Sequence, residues 1–490
     1  MIREDWVECS FEDLLNYEQP TKYIVDSTKY NDQFNTPVLT AGKSFIKGYT
    51  NETGGVFKNL PTIIFDDFTT ASQFVNFKFK VKSSAMKILV PTSSLVNMKF
   101  TFYYMKVNQV RNDTHKRYWI SVYSKKKILL PSLPEQRAIV AQIEELFSSL
   151  DSGISDLNKA MAQLKIYRQA VLKKAFSGEL TKEWRAKQKK LPSASELLQQ
   201  IKAERQSHHQ QQLVQWHETV QAWEDGGKAG KKPARPRALK ELPPLTEEEL
   251  AAFPLLPKGW GYSQFVNLCS LVRNGISKKP NGTSFDSKIF RISAVRPFSI
   301  NLEDYRNIQN NNDEFNNFFL KKGDLLFTSY NGSRKYVGVC GEFTSDEKYL
   351  YPDKLILARL VSKETNASFL QYAANVFTSR AFIEDRIRTT AGQSGISGSD
   401  IKAMPIPICS LPEQLQIVQE IESRLSVCDN LERTIKESLE KAKGLRQSIL
   451  KQAFAGELLS ATALEACRKE PDWQPASELL QQIKAAQKNA

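Results

Sequence analysis

The residues with the strongest claim to chemistry are few, and each fails a test of spacing. Ala41-Gly42-Lys43-Ser44 has the ending of a phosphate-binding loop, in which backbone N–H groups curl round phosphates and a lysine reaches them. That motif needs a glycine five residues before its second glycine, but position 37 is Pro, which has no N–H to give. No glycine-rich cofactor loop and no Asn/Asp-Pro-Pro-aromatic run of a methyltransferase occurs. Pro352-Asp353 and Pro471-Asp472 lack the downstream Glu-x-Lys of a nuclease metal site. The six cysteines (Cys9, Cys269, Cys340, Cys409, Cys428, Cys467) include no Cys-x-x-Cys pair, which excludes a zinc ribbon or redox dithiol and leaves free thiols. His208, His209 and His217 share one polar stretch, so His115 stands alone among the histidines, and one histidine makes no metal site. No catalytic or metal-binding residue is assigned, and no cofactor is expected in this chain.

What remains is recognition. A net charge of +14 and a pI near 9.2 point to a polyanion, and double-stranded DNA is the expected partner. DNA contacts are expected from polar side chains beside glycine, where the backbone can approach a duplex. In the first half these are Lys43, Ser44, Lys47, Thr69, Thr70 and Lys82. In the second they are Tyr330, Asn331, Ser333, Arg334, Lys335, Gln393 and Ser394. Lys47 fits a phosphate contact and Gln393 a base edge, whereas Lys125-Lys126-Lys127 reads as solvated surface or phosphate contact. No apolar run nears the ~20 residues of a spanning helix, and Met1-Ile2-Arg3-Glu4-Asp5-Trp6 is charged where a signal peptide is apolar. The chain is expected to be cytoplasmic, with no membrane partner.

A duplication positions these residues. Ser132–Leu180 reads SLPEQRAIVAQIEELFSSLDSG…YRQAVLKKAFSGEL, and Ser410–Leu458 reads SLPEQLQIVQEIESRLSVCDNL…LRQSILKQAFAGEL, at a constant offset of 278 with 21 of 49 residues identical. An ungapped match of that length marks rigid helix, since loops tolerate insertions. Leu-Pro-Glu-Gln opens each copy: proline suits a first helical turn, and Glu135 or Glu413 suits the positive end of a helix. Apolar residues then recur at steps of three and four, from Ile139 to Leu164 and from Ile417 to Ile449, as a coiled-coil seam does. Gly178 and Gly456 fall where each helix should stop. A second echo follows, with ASELLQQIKA at Ala194–Ala203 and again at Ala476–Ala485.

The resulting fold class is α+β: two α/β recognition domains joined by two long coiled-coil helices. The first domain spans residues 1–131 and the first repeated helical region 132–203. A helical spur and extended linker rich in Gln, Lys, Pro and Glu fill 204–256. The second domain spans 257–409 and the second helical region 410–490. The two domains do not match each other in sequence. Like spacers with unlike heads suit a protein that reads two different things a fixed distance apart.

These residues resemble the specificity subunit of type I restriction-modification enzymes. The resemblance rests on the twin LPEQ…GEL segments, on Leu256-Pro257-Lys258-Gly259-Trp260, and on Lys322–Phe327, Tyr330–Ser333, Val337–Gly341 and Gly392–Ser397. In the first domain Leu39–Ser44 and Phe65–Thr70 also follow a recognition-domain subtype, while Trp6 is the nearest counterpart of the L-P-x-G-W opening. The resemblance implies antiparallel helices, pseudo-twofold symmetry of the halves and a target of two unlike half-sites. It also implies two modification (methyltransferase) subunits that bind S-adenosylmethionine, and restriction subunits that use ATP and Mg to translocate DNA. Two other readings stand beside it: the specificity portion of a self-sufficient restriction-methylation enzyme, against which Met1 and the intact duplication argue, and a coiled-coil adaptor that binds no DNA.

Overall fold

A computed structural model describes residues 5–40, 44–108, 118–281, 283, 286–310, 314–390 and 392–488. It forms two compact units, Met1–Met161 with Arg433–Ala490, and Ala162–Glu432.

In the first unit, β1 (Val7–Ser10) leads through a helical turn α1 (Phe11–Leu14) into β2 (Leu15–Glu18). There follow β3 (Thr36–Leu39), β4 (Ile46–Thr50), β5 (Thr62–Asp66), β6 (Ser72–Val75), β7 (Lys80–Val81) and β8 (Met86–Pro91). Helix α2 (Met98–Val107) and β9 (Lys127–Leu130) complete the domain. The strands make a four-stranded antiparallel sheet β2-β8-β5-β6, a three-stranded sheet β4-β3-β7 and the ribbon β1-β9. Strand β5 is buried throughout, as a strand covered on both faces must be.

Helix α3 (Leu133–Phe176) then runs for 44 residues, roughly 66 Å at ~1.5 Å per residue. A short α4 (Lys182–Ala186) precedes α5 (Ala194–Asp225), whose start is fixed by a capping box between Ser193 and Glu196. The linker includes α6 (Glu247–Ala251).

The second domain runs β10 (Gly261–Gln264), β11 (Cys269–Asn274), β12 (Ser287–Phe290), β13 (Val295–Arg296), β14 (Ser299–Ile300), β15 (Tyr305–Ile308), β16 (Leu325–Thr328) and β17 (Tyr330–Asn331). It continues with β18 (Cys340–Glu342), β19 (Tyr349–Leu350), β20 (Leu355–Leu360), α7 (Ala367–Ala374), α8 (Phe377–Arg386), β21 (Arg388–Thr390), β22 (Gln393–Gly395), α9 (Gly398–Ala403) and β23 (Pro405–Ile408). Its sheets β11-β20-β16-β18 and β15-β12-β19, with the ribbon β10-β23, repeat the first domain strand for strand. Even the single parallel pair recurs, β3 with β7 and β12 with β19. Domains without matching sequence therefore share one topology. The second adds the hairpin β13-β14 and the sheet β17-β22-β21.

Helix α10 (Leu411–Phe454) is again 44 residues, followed by α11 (Ala461–Arg468) and α12 (Ala476–Lys488). Gly178 and Gly456 take φ of 72° and 78°, the left-handed geometry expected of a helix stop. The long helices pair antiparallel. In the first unit Arg446 of α10 bonds Asp151 and covers the Phe147 ring, 4.6 Å from its centre. In the second, Arg168 meets Asp429 at 2.6 Å and Glu432 at 3.1 Å. Residues 150, 154, 157, 161 and 164 are the half-buried positions expected of a two-helix seam. Leu431 and Leu445, placed in that seam by their spacing, instead face solvent at 47% and 51% exposure.

Each domain is fixed to helix ends through the LPEQ motif. Glu135 and Glu413 lie in the first turns of their helices, as expected, and their carboxylates also bind indoles: Trp6 Nε1 donates to Glu135 at 3.1 Å, and Trp260 Nε1 to Glu413 at 2.9 Å. This makes Trp6 the counterpart of Trp260. Glu413 also accepts from Thr181 Oγ1 at 2.8 Å and Arg185 Nε at 2.7 Å. Gln136 and Gln414 donate back to the carbonyls of Pro131 and Cys409. In the second unit Pro257 lies where a Cβ on Gly178 would be 2.2 Å from its Cγ. The echoed short helices do the same work twice. Ala194, Leu197 and Ile201 are buried in the second domain's core, and Leu479 and Ile483 in the first's. Phe454 adds ring contacts to Phe100 and Tyr104, each worth ~0.5–1.5 kcal/mol beyond burial.

Candidate nucleic-acid interface

In the second domain the sheet β17-β22-β21 brings distant candidates together. Tyr330 pairs with Gly395 and Asn331 with Ser394, so the 330 loop and the 393 loop share one surface. Gly395 is required there, because a Cβ would stand 2.5 Å from the Tyr330 ring. A cleft of about 470 Å³ opens beside them, lined by Arg291, Arg306, Tyr330, Asn331, Lys354 and Gln393. Lys354 lies 4.6 Å over the Tyr330 ring, a cation–π contact that holds both side chains at the rim. The Lys354 loop reaches this place because Gly275 admits it: a Cβ at 275 would be 2.1 Å from the Tyr351 carbonyl oxygen. Arg291 faces Asp304 at 3.6 Å, whereas Arg306 and Lys354 have no carboxylate partner among the described residues. Two free cations, an exposed aromatic face and two side-chain amides can neutralise phosphate, stack and read base edges.

The sequence candidates separate into groups. Tyr330 and Gln393 are exposed, and Asn331 is half-buried with its Oδ1 accepting the Ser333 N–H at 2.9 Å, which fixes the direction of its amide. Lys335 is exposed and rests on the Tyr336 ring. Arg334 is already engaged: its guanidinium donates to the Glu384 carbonyl at 2.6 Å and to that of Ile387 at 3.3 Å, closing the end of α8. Ser333 shapes the following turn. Ser394 is 5% exposed and shares a hydrogen bond with Thr389. It positions the sheet from within.

In the first domain Lys43 and His115 lie outside the described residues. Ser44 is exposed beside Phe45, whose carbonyl accepts the Thr40 N–H at 3.0 Å. Lys47 is the exposed, bulged residue of β4 beside Leu39, and the Lys82 N–H donates to the Leu39 carbonyl at 2.9 Å. Ser44, Lys47 and Lys82 thus gather at one end of the sheet β4-β3-β7. Thr69 spends its hydroxyl on Asp66 Oδ2 at 2.7 Å. Thr70 is 1% exposed with φ 56°, so it forms the turn from inside and presents no surface to a duplex. Of the run Lys125–Lys127, Lys127 pairs with Glu8 at 3.5 Å and Lys126 donates to the Asn108 carbonyl.

The shared topology exposes residues that sequence reading missed. Arg306 stands opposite Ile289, the counterpart of Leu39, and so takes the place of Ile46, next to the bulged Lys47. Phe68 follows β5 as Tyr330 follows β16, and the two are exposed at 41% and 44%. An exposed aromatic two residues beyond a buried strand was the available signal.

Burial pushes the thiols of Cys9 and Cys269 up to about 12 and those of Cys340 and Cys409 well above their usual range, which keeps all four protonated and unreactive. Among the described residues no group of three or more His, Cys, Asp or Glu is placed to hold a metal, and no helix is long and apolar enough to cross a membrane.

Residues 272–441 match the family model of the type I restriction modification DNA specificity domain. The type I restriction enzyme EcoKI specificity subunit of Escherichia coli K12 is 30% identical over 360 residues, covering 73% of this chain and 63% of that protein. The EcoR124I/EcoR124II specificity subunit of Escherichia coli is 42% identical over 184 residues, 35% of this chain and 45% of that protein. The alignments span less than two thirds of the length of these curated relatives. A solved structure described as the structural basis of complex assembly and conformational transition of the type I R-M system superposes with a TM-score of 0.58. It is 14% identical, covers 93% of this chain and 99% of its own, and shares the fold. By sequence this chain is similar to the specificity subunits of type I restriction-modification enzymes, and residues 272–441 match their DNA specificity domain.

Proposed function

We propose that this chain selects a bipartite, asymmetric DNA target and holds catalytic subunits to it. The observation that carries the reading is the pair of domains with one strand order and unlike residues at equivalent places: Phe68 against Tyr330, Ile46 against Arg306. One scaffold is thereby fitted to two half-sites, and twin helices of equal length set the unread spacer between them. Two modification subunits carrying S-adenosylmethionine dock along those helices, where Ile166 and Val427 are exposed at 66% and 58%. Restriction subunits supply ATP- and Mg-dependent translocation, and this chain supplies no catalytic group. The complex acts in the cytoplasm.

Methyl transfer is expected only when a modification subunit and S-adenosylmethionine accompany the chain, and methylation by the rigorously purified chain alone would refute the reading. Gln393→Ala is expected to lose roughly 1–3 kcal/mol of discrimination at one half-site. Lys47→Ala should weaken all sequences alike and reduce the slope of log K against log salt by about one. Binding titrations on cognate and scrambled duplexes check both, and equal behaviour of the two variants would reject these contact assignments.

A further inference from the structure

Helix α5 carries more than its echo. Its first turns match α12 and enter the second domain's core, but it continues to Asp225 before the chain turns at Gly226-Gly227 and comes back along it. The returning strap is pinned to the helix at three levels. Arg235 and Lys232 lie over the rings of Trp216 and Trp223. Trp216 Nε1 donates to the Pro233 carbonyl at 3.0 Å, and Arg205 donates to that of Leu239 at 2.8 Å. Between Gly226 and Lys240 the strap holds Lys228, Lys231, Lys232, Arg235, Arg237 and Lys240 and no acidic residue. All six cations are exposed, and among the described residues none has a carboxylate partner.

The strap is not part of the cleft. Its base meets Cys269, Ser270 and Val361, at one end of the paired strands β11 and β20, while Lys354 and Tyr330 lie at the other end. Six residues of strand at ~3.3 Å each separate the two places by about 20 Å.

We propose that this strap is a second, sequence-independent binding site for the phosphodiester backbone of duplex DNA outside the half-site read by the cleft. The proposal rests on the DNA-reading function above. An extended segment interrupted by Pro233 and Pro236 spreads its charges along a line instead of clustering them, as a linear polyanion requires. Charge of a single sign without hydrogen-bonding side chains of other kinds gives affinity without base readout. Pinning by the two tryptophans holds the charges on one ridge and lowers the ordering cost of binding.

The test uses the full-length chain with Lys231, Lys232, Arg235 and Arg237 each changed to Ser. The probe is a scrambled 40-base-pair duplex titrated across salt concentrations, beside a duplex carrying the methylated target. Each neutralised phosphate contributes about 0.9 to the slope of log K against log salt, so the slope should fall by about 3–4 on both duplexes. The ratio of target to scrambled affinity should not change. A companion variant that keeps charge, Lys232→Arg with Arg235→Lys, should retain the parent slope, which separates loss of charge from loss of the strap's seating. An unchanged slope in the Ser variant overturns the proposal, as does a change in the affinity ratio. Loss of co-purification with a restriction or modification subunit at unchanged slope overturns it too, and makes the strap a protein-docking surface. Failure of the wild-type chain to prefer its target would instead refute the DNA-reading function itself.

Discussion

Glu413→Ala is expected to cost about 3–5 kcal/mol in the unit that holds the second domain, because it leaves a largely buried guanidinium without its counter-ion. Glu413 is 2% exposed and takes hydrogen bonds from Arg185, Thr181 and Trp260. Arg185 also donates to the Gly178 carbonyl at 2.6 Å and lies over the Trp260 ring, so one carboxylate joins the end of α3, the start of α10 and the entry to the domain. The ion pair is 20% and 3% exposed, which limits screening by solvent. Glu413→Gln keeps an acceptor and loses only the charge, so its cost should be clearly smaller. Glu135→Ala leaves the Trp6 indole N–H unpaired and is expected to cost about 1–3 kcal/mol. Denaturant unfolding of the full chain, followed by tryptophan fluorescence, checks the ranking. Equal costs for Glu413→Ala and Glu413→Gln would show that the charge of Glu413 adds nothing to the second clamp.

The twin helices were legible because their signals are local. Leu-Pro-Glu-Gln, the steps of three and four, and a terminal glycine all lie within one continuous segment, and Gly178 and Gly456 stop the helices as their positions imply. The common topology of the domains was not legible. The parallel pairs join residues 42 positions apart (Val38 with Lys80) and 61 apart (Lys288 with Tyr349), and no short-range periodicity records that β3 lies parallel to β7 as β12 does to β19. The same limit applies to the interface. Polar type and neighbouring glycine selected Tyr330 and Gln393, which the sheet β17-β22-β21 does bring together, but they could not separate these from Arg334, held by the carbonyls of α8, or from Thr70 and Ser394, which are buried. Arg306 sits among ordinary strand residues and Lys354 in the turn just before β20, and only the pairing of distant strands carries them to the cleft. Leu431 and Leu445 illustrate the converse, since apolar spacing suggested burial that a two-helix seam does not extend to them.

A chain in which residues 257–409 also replace residues 1–131 is expected to fold and to read a target with the same half-site twice. The contacts that seat the second domain have counterparts at the first domain's position. Trp260 would meet Glu135 in place of Glu413, Asn366, whose N–H donates to Gln414 Oε1 at 2.9 Å, would meet Gln136, and Pro257 would meet Gly456 in place of Gly178. The short-helix residues Ala194, Leu197 and Ile201 are matched in kind by Ala476, Leu479 and Ile483. Two contacts would be missing, because Leu459 and Ala463 stand where Thr181 and Arg185 do, so the transplanted domain should be seated more weakly than the original. Since each mismatched base pair costs about 1–3 kcal/mol, loss of the half-site read by the first domain should abolish methylation at the parental target. The unread spacer should keep its length, because both helices are untouched. Methylome sequencing of cells expressing the chimaera with its modification partner makes the measurement. Retention of the parental, asymmetric target would show that residues 1–131 do not read a half-site, and a changed spacer would show that the domains, and not the helices, set the distance.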